Sequence, residues 1–289
     1  MTLSVLDQST ASKGKTQDEA IRETLDLARH CDALGYHRYW VSEHHNTGNI
    51  VGTAPEILMA AIAATTPRIR VGSAGVMLPH YSALKVAEQF RVLEGIAPGR
   101  IDLGIGRAPG SDQPTAFALN PNTSNAEDFP QQVYELQAWV SGAPLDARHP
   151  FHRIKAHPTG PTSPELWILG SSDYGAQLAA HFGLPYAFAY FFTDGHGVEQ
   201  ALELYRRSYK PSERFPPAAG DDLRVGARGG HPSGSETPRD HARAFAHPAR
   251  GRHTRSARAA RRGGGLSLHR RPARKDRIDA PQSVRRNCR

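Results

Sequence analysis

The stretch Tyr39–Asn46, which reads YWVSEHHN, decides how this chain is interpreted. An apolar run gives way abruptly to an acid, two imidazoles and an amide, directly after a segment of helical periodicity. A short apolar run of this kind is typical of a buried strand, and polar side chains at its end are costly unless they face a cavity. In proteins of alternating strands and helices, ligands bind at that end of the strands. Glu43, His44 and His45 are therefore the first candidates for a functional site.

Strand-like and helix-like segments alternate on both sides of this stretch. The predicted strands are 3–6, 39–42, 69–76, 101–105, 166–169 and 186–190, and the predicted helices are 17–34, 55–65, 83–94, 127–140, 174–182 and 198–209. Six successive pairs indicate a parallel sheet, which fits either a (β/α)₈ barrel or an open doubly wound sheet. Polar or aromatic residues follow nearly every strand, and this favours a barrel mouth, where all strands converge. We predict an α/β fold of the (β/α)₈ TIM-barrel type with six recognisable units.

The pattern stops at residue 225, and this defines two regions. Residues 1–225 are predicted to form an incomplete barrel domain, and residues 226–289 a low-complexity basic tail. The tail holds 17 Lys and Arg against four Asp and Glu, whereas the rest of the chain carries a net charge of −5. The tail has few large apolar residues, and their burial cannot offset the entropy that the chain loses on folding. We therefore expect the tail to be disordered. The tail is either a nucleic-acid-binding arm or, as we favour, the product of out-of-frame translation of a GC-rich gene.

Composition excludes several classes of protein. The chain has 289 residues and two cysteines, Cys31 and Cys288, which lie in regions of different character and do not suggest a disulfide framework. We find no pattern of a signal peptide and no apolar run long enough to span a membrane. A cytoplasmic protein without membrane contact is expected.

The Glu43-His44-His45 sequence admits three interpretations. As a metal site it is weak, because adjacent histidines on an extended segment point to opposite sides and no cysteine cluster supplies further ligands. We therefore predict no metal. The residues could be structural, with one histidine bonded to the backbone and the other in solvent. The third interpretation, acid–base or cofactor contact at a barrel mouth, is preferred because imidazole titrates near neutral pH.

Two further segments suggest a phosphate site. The run 104–110 is G-x-G-x-x-x-G, one residue longer than a dinucleotide fingerprint, but its Arg107 offers a fork for phosphate. A surface ion pair is the alternative for this arginine. Gly170, Ser171 and Ser172 lie where a strand ends and a helix begins, and free backbone N–H groups there suit a phosphate. Plain capping of the helix by Ser172 or Asp173 is the alternative.

Together these segments resemble the bacterial luciferase-like monooxygenases, flavin-dependent oxidoreductases built on a (β/α)₈ barrel. Within that family, the chain is similar to an uncharacterised subgroup with Glu-His-His-Asn and Gly-Arg-Ala-Pro-Gly motifs. The resemblance covers residues 1–225 and is carried by 6–9, 40–46, 70–80, 86–90, 98–110 and 166–172.

The resemblance implies a reduced FMN, supplied by a separate flavin reductase, that uses O₂ to oxygenate a small organic substrate. His44 would lie near flavin and substrate as a proton-transfer residue. The other residues carried over are Ala74 and Gly75 for the ring, where the family often has an unusual peptide bond, Arg107, Ser171 and Ser172 for the phosphate, and the weaker candidates Tyr190 and Phe191 for the ring or the substrate pocket. A homodimer is a further expectation.

The departure from the family is the lack of a seventh and an eighth strand–helix pair after Val225. We therefore expect the chain as written to be unstable, aggregation-prone or inactive as a monooxygenase. Three alternative functions stay open: a deazaflavin (F420)-dependent hydride-transfer enzyme, a flavin-storing relative without turnover, and non-specific nucleic-acid binding through the tail.

Overall fold

The computed structural model describes residues 3–121 and 127–211 and the backbone of residues 223–225. The strands are β1 (Ser4–Asp7), β2 (Arg38–Val41), β3 (Arg70–Ser73), β4 (Val76–Met77), β5 (Ile101–Gly106), β6 (Glu165–Gly170), β7 (Tyr186–Ala189) and β8 (Leu223–Val225). The helices are α1 (Gln17–Ala33), α2 (Pro55–Thr65), α3 (Ala83–Ile96), α4 (Gln113–Leu119), α5 (Phe129–Ser141), α6 (Asp173–Phe182) and α7 (Val198–Ser208). The predicted disorder of residues 226–289 lies outside the described residues.

The strands form one parallel sheet in the order β1-β2-β3-β5-β6-β7-β8, with the short β4 also paired to β5. The sheet curls into a half-barrel with the helices on its outer face. Consecutive units are neighbours in the sheet, so every described strand presents its carboxyl end at the same edge. The predicted α/β fold with six strand–helix pairs is confirmed.

Local signals explain where the helices begin. A capping box begins α1: the Thr16 hydroxyl accepts a hydrogen bond from the backbone N–H of Glu19, and the Glu19 carboxylate accepts one from the backbone N–H of Thr16. The segment between the predicted strand 101–105 and the predicted helix 127–140 contains a further helix, α4, which was not predicted. Asp112 caps that helix by accepting from the N–H of Thr115, and a proline lies in its first turn.

Two strands differ from the prediction. The segment 69–76 is not one strand but two, β3 and β4, separated by a cis peptide bond between Ala74 and Gly75. The strand β8 pairs with β7 at residues where the sequence pattern fades, and three residues are too few to give a periodic signal. The sheet therefore has seven principal strands, one more than the six predicted units supply.

The side chains of the sheet alternate between two environments. On β2, Tyr39 and Val41 belong to the large apolar core between sheet and helices, whereas Trp40 packs in a separate cluster with Trp167 and Ala187. The ring centroids of the two tryptophans lie 5.3 Å apart, edge to face. This inner cluster forms a floor inside the half-barrel, below the carboxyl ends of the strands.

Charged residues fill the half-barrel beneath the tryptophans. Asp102 is fully buried and accepts hydrogen bonds from Arg38 Nε (3.0 Å), Arg70 Nε (3.0 Å) and Trp40 Nε1 (2.9 Å). Glu165 accepts from both arginines as well. Because these charged side chains form hydrogen bonds with one another, they can be buried inside the half-barrel.

The extent of this packing bears on the expectation of instability. The apolar core runs through all seven helices' inner faces except that of α4, and it includes side chains such as Phe90, Phe129 and Phe188 that are fully buried. This packing concerns the described residues alone, and the expectation that the chain as written is unstable, aggregation-prone or inactive stays a prediction. Among the described residues, none of the helices has the length and apolar character required to cross a bilayer.

Candidate active site

The residues singled out in the sequence lie together at the carboxyl edge of the half-barrel. His44 follows β2, Gly75 lies between β3 and β4, Arg107 follows β5, Ser171 follows β6 and Tyr190 follows β7. Because β2, β3, β5, β6 and β7 are successive neighbours in the sheet, these residues form a continuous rim. The rim is the candidate active site.

Glu43 lies beneath this rim and is inaccessible to solvent. Its Oε1 accepts hydrogen bonds from the Tyr81 hydroxyl (2.7 Å) and from Nε2 of His45 (2.8 Å), and its Oε2 accepts one from the backbone N–H of Met77 (2.9 Å). All three donors are on different segments. Burial, followed by the Glu43 charge, raises the pKa of Tyr81, which therefore stays a donor. Glu43 thus joins the end of β2 to β4 and to the segment that follows it.

The two histidines have different environments. Besides donating to Glu43, His45 uses its backbone N–H to reach the carbonyl of Gly110 (3.1 Å). His44 is half-buried, and its Nδ1 lies 3.2 Å from the hydroxyl of Ser42. Burial lowers the pKa of His44 and outweighs the opposing effect of Glu43, so the imidazole is neutral near pH 7. Of the three residues, His44 is the one placed to meet a ligand.

The backbone around Ala74 and Gly75 forms a close-packed wall. A Cβ atom on Gly75 would lie 2.9 Å from the carbonyl oxygen of Gly104, and one on Gly104 would lie 2.1 Å from that of Ser73. Neither position has room for a side chain, so glycine is required at both. The Ser73 hydroxyl donates to the Gly104 carbonyl at 2.8 Å and fixes the two strands. Ala74 is half-buried and packs against the inner cluster of Trp40, Trp167 and Ala187. Only small side chains therefore occur at this point of the carboxyl edge.

The loop that carries Arg107 is anchored by the neighbouring strand ends. His80 is buried and its Nε2 donates to the carbonyl of Pro109 (2.7 Å), while the backbone N–H of His45 donates to that of Gly110. The side chain of Arg107 is exposed, and its guanidinium carbon lies 4.1 Å from the ring centroid of Tyr174. Within the described part of the chain, no carboxylate pairs with it, which argues against the surface ion pair considered above.

The start of α6 lies next to this arginine. Ser172 is the N-cap residue but makes no side-chain capping bond, so the alternative of plain capping by Ser172 is not what the described structure shows. Its carbonyl and that of Gly170 both accept from the Tyr186 hydroxyl at 3.3 Å, and these bonds hold the turn around Ser171. First-turn N–H groups without a side-chain acceptor are the donors that bind anions at helix N-termini. Arg107 and α6 are therefore a suitable pair for a phosphate.

The rim at β7 is aromatic. Tyr190 and Phe192 are exposed, and the ring centroids of Phe191 and Phe192 lie 4.4 Å apart. These residues form a short 3₁₀ turn directly after the strand. The arrangement offers an apolar wall to a ligand at the rim.

Three contributing residues had not been identified from the sequence. Tyr81 and His80 anchor Glu43 and the Arg107 loop, and Tyr174 stacks on Arg107. The sequence gives no sign of these three contacts, because each joins residues that are 29 to 67 positions apart. Within residues 3–121 and 127–211, no group of three His, Cys, Asp or Glu side chains is arranged to hold a metal ion.

The half-barrel and the motifs at its rim agree with the comparison with known families. The family model for luciferase-like monooxygenases matches residues 1–286, and the chain belongs to this family. The match extends beyond residue 225, where the sequence resemblance had been placed to end. The three relatives described next align over only 208 to 213 residues, so the origin of residues 226–289 stays a prediction.

Three curated relatives illustrate the similarity. The chain is 50% identical over 213 residues to YwcH of Bacillus subtilis strain 168, covering 73% of this chain and 63% of the relative. It is 46% identical over 213 residues to a luciferase-like monooxygenase of Escherichia coli K12 (73% and 62%) and 41% identical over 208 residues to the N-acetyl-S-alkylcysteine monooxygenase of B. subtilis strain 168 (72% and 61%). The matched part thus spans less than two thirds of the length of each relative.

Solved structures show the same fold. Apo-MsnO8 is 42% identical, with a TM-score of 0.67 over 74% of this chain and 63% of that one. The oxygenating constituent of 3,6-diketocamphane monooxygenase from Pseudomonas putida, in complex with FMN, is 20% identical, with a TM-score of 0.59 over 73% and 64%. An F420-dependent secondary alcohol dehydrogenase is 16% identical, with a TM-score of 0.54 over 73% and 66%. The last two establish the fold alone, and the predicted kinship with TIM-barrel monooxygenases is confirmed.

Proposed function

We propose that this chain carries the site of a flavin-dependent monooxygenase, which binds reduced FMN at the carboxyl edge of the half-barrel and uses O₂ to oxygenate a small organic substrate. Whether residues 226–289 leave that site inactive, as the sequence led us to expect, is decided by the reoxidation experiment below. The observation that carries the proposal is the guanidinium of Arg107 beside the start of α6, where the N-cap side chain makes no hydrogen bond. Both elements favour a dianionic phosphate monoester. A cofactor with one phosphate on a flexible arm fits this position.

FMN is preferred over the deazaflavin alternative for a chemical reason. The relatives at 41% and 46% identity are named as monooxygenases, and a monooxygenase must activate O₂. A deazaflavin transfers hydride and does not carry out that reaction. The similarity to the F420-dependent enzyme is confined to the fold, so it does not weigh against FMN.

The residues of the rim have separate roles in this proposal. Arg107, Ser171 and Ser172, with the backbone of Gly170, would hold the phosphate. Ala74 and Gly75 would lie against the flavin ring, because the segment that joins β3 to β4 lies at the carboxyl edge beside the end of β5, which leads to Arg107. When bound, reduced FMN would supply the electrons that activate O₂.

His44 is the proposed proton-transfer residue. Its Nδ1 is engaged by the Ser42 hydroxyl, and the other nitrogen, Nε2, is left to accept or donate a proton at the rim. Because burial lowers its pKa, His44 is neutral at physiological pH and can act as a base. Tyr190 and Phe191 would line the side of the pocket used by the organic substrate.

Glu43 and His45, also candidates for catalysis, are better suited to positioning. The Glu43 carboxylate is fully buried and occupied by three donors, which leaves it no path to a substrate. His45 is joined to Glu43 through its side chain and to the Arg107 loop through its backbone. Together they fix His44 and Arg107 relative to each other. A separate flavin reductase, a homodimer and a cytoplasmic location are kept as parts of the proposal.

Anaerobic titration of the full-length chain with reduced FMN and, separately, with reduced F420 tests this function. We expect reduced FMN to bind more tightly, and the bound FMN to reoxidise with a different rate from free FMN when O₂ is admitted. Preferential binding of F420 would replace this proposal with the hydride-transfer alternative. Replacement of His44 by glutamine should leave FMN binding intact while changing the reoxidation rate.

A further inference from the structure

Arg107 is held in an unusual way for an exposed arginine. The Cζ atom of its guanidinium lies over the ring of Tyr174, 4.1 Å from the ring centroid. Among the described residues it has no ion-pair partner, so the aromatic ring is what fixes its position. A guanidinium held over an aromatic ring can keep its N–H groups available to donate to a ligand.

Tyr174 is a firm support for this contact. It is the second residue of α6, and its ring is partly buried against the main apolar core. The neighbouring carboxylate, that of Asp173, accepts a hydrogen bond from Gln200 of α7 at 2.7 Å. The first turn of α6 therefore presents an aromatic platform for Arg107, while its one acidic side chain is engaged by the next helix.

This arrangement has a consequence for binding. A long arginine side chain on a loop must lose rotamer freedom to hold a phosphate, and that loss weakens binding. A side chain that is already stacked has lost much of this freedom before the ligand arrives. A cation–π contact at an exposed site corresponds to about a two- to fivefold effect on affinity.

We infer that Tyr174 is a positioning residue for phosphate recognition: it holds the Arg107 guanidinium over the start of α6, so that the site selects flavins that carry a terminal phosphate. The inference rests on the proposed flavin-binding function. Tyr174 acts through Arg107 and touches neither the flavin ring nor the reacting atoms.

The test compares FMN with riboflavin, which lacks the phosphate. Dissociation constants for both ligands are measured with the full-length chain by quenching of flavin fluorescence, in the wild type and in Arg107→Ala, Tyr174→Leu and Tyr174→Phe. We expect Tyr174→Leu to weaken FMN about two- to fivefold and to leave riboflavin unchanged. Tyr174→Phe keeps the aromatic face and should bind FMN as the wild type does.

A double variant separates positioning from a general structural effect. If Tyr174 acts through Arg107, then Tyr174→Leu should cause no further loss of FMN affinity once Arg107 is alanine. Equal weakening of both ligands by Tyr174→Leu, or an additive loss in the double variant, would overturn the inference. So would an unchanged FMN affinity in Tyr174→Leu when Arg107→Ala loses the preference for FMN. If Arg107→Ala itself leaves the preference unchanged, the phosphate site of the proposed function is wrong and this inference falls with it.

Discussion

Replacement of Glu43 by alanine should strongly destabilise the fold. The side chain accepts three hydrogen bonds in a site without solvent access, from the Tyr81 hydroxyl, His45 Nε2 and the backbone N–H of Met77. Each buried donor left without an acceptor costs about 1–3 kcal/mol, and removal of one member of a buried charged network costs about 3–5 kcal/mol. Because the three costs are not additive, we expect the free energy of unfolding to fall by about 3–5 kcal/mol.

Two milder variants calibrate this prediction. Tyr81→Phe removes one donor and leaves Glu43 with two, so the expected loss is about 1–2 kcal/mol. Glu43→Gln keeps the shape of the side chain but presents an N–H group where an oxygen accepts, and an intermediate loss of about 1–3 kcal/mol follows. The order of the three variants is thus set by the number of donors that lose their acceptor.

Urea unfolding followed by tryptophan fluorescence measures these losses. Trp40 and Trp167 lie buried inside the half-barrel, so their emission reports on the same body that Glu43 stabilises. The midpoint should fall without a change in slope. A loss below about 1 kcal/mol in Glu43→Ala would refute the reasoning, since three buried donors without an acceptor cannot be that inexpensive.

Three further predictions concern pH, packing and the tail. Burial lowers the pKa of His44 below its usual 6.5. The contribution of His44 to stability is therefore complete above pH 6.5 and is lost as the pH falls through the lower pKa of the folded state. His44→Gln should flatten the decline of Tm below pH 6.5, and an unchanged decline would contradict this. Gly104→Ala places a Cβ 2.1 Å from the Ser73 carbonyl oxygen and should lower Tm sharply. Its control, Gly95→Ala, lies in a helix with open space around it and should stabilise the fold by about 0.5–1 kcal/mol. Similar Tm values for the two variants would count against the packing described. If residues 226–289 are out of frame, translation of the gene one or two nucleotides out of phase after codon 225 should restore two strand–helix pairs, and failure of both frames would leave a true basic tail, testable by salt-dependent retention on DNA.

The fold could be predicted because its signals are local. The capping box at Thr16, the apolar run before Glu43 and the alternation of strands and helices all act within a few residues of each other. Parallel topology then follows from short connections, and the shared carboxyl edge follows from the topology. The position of His44, Arg107 and Ser171 on one rim was therefore within reach of the sequence.

The different roles of the site residues could not be predicted from the sequence. Glu43 and His44 are adjacent in the sequence, yet one is a buried anchor and the other faces the rim, and only the partners of Glu43 distinguish them. Two of its three partners, Met77 and Tyr81, are 34 and 38 residues away, beyond the range of any spacing rule. The contact between Tyr174 and Arg107 could not be predicted either, because an aromatic residue in a helix is expected to be a core residue unless its neighbour in space is known.

A crystal structure of the full-length chain soaked with FMN would show whether the cofactor binds at the carboxyl edge. We expect the phosphate within hydrogen-bonding distance of the Arg107 guanidinium and of the first backbone N–H groups of α6, with the flavin ring against Ala74 and Gly75. FMN bound elsewhere on the molecule, or at this edge with its phosphate away from Arg107, would contradict this expectation.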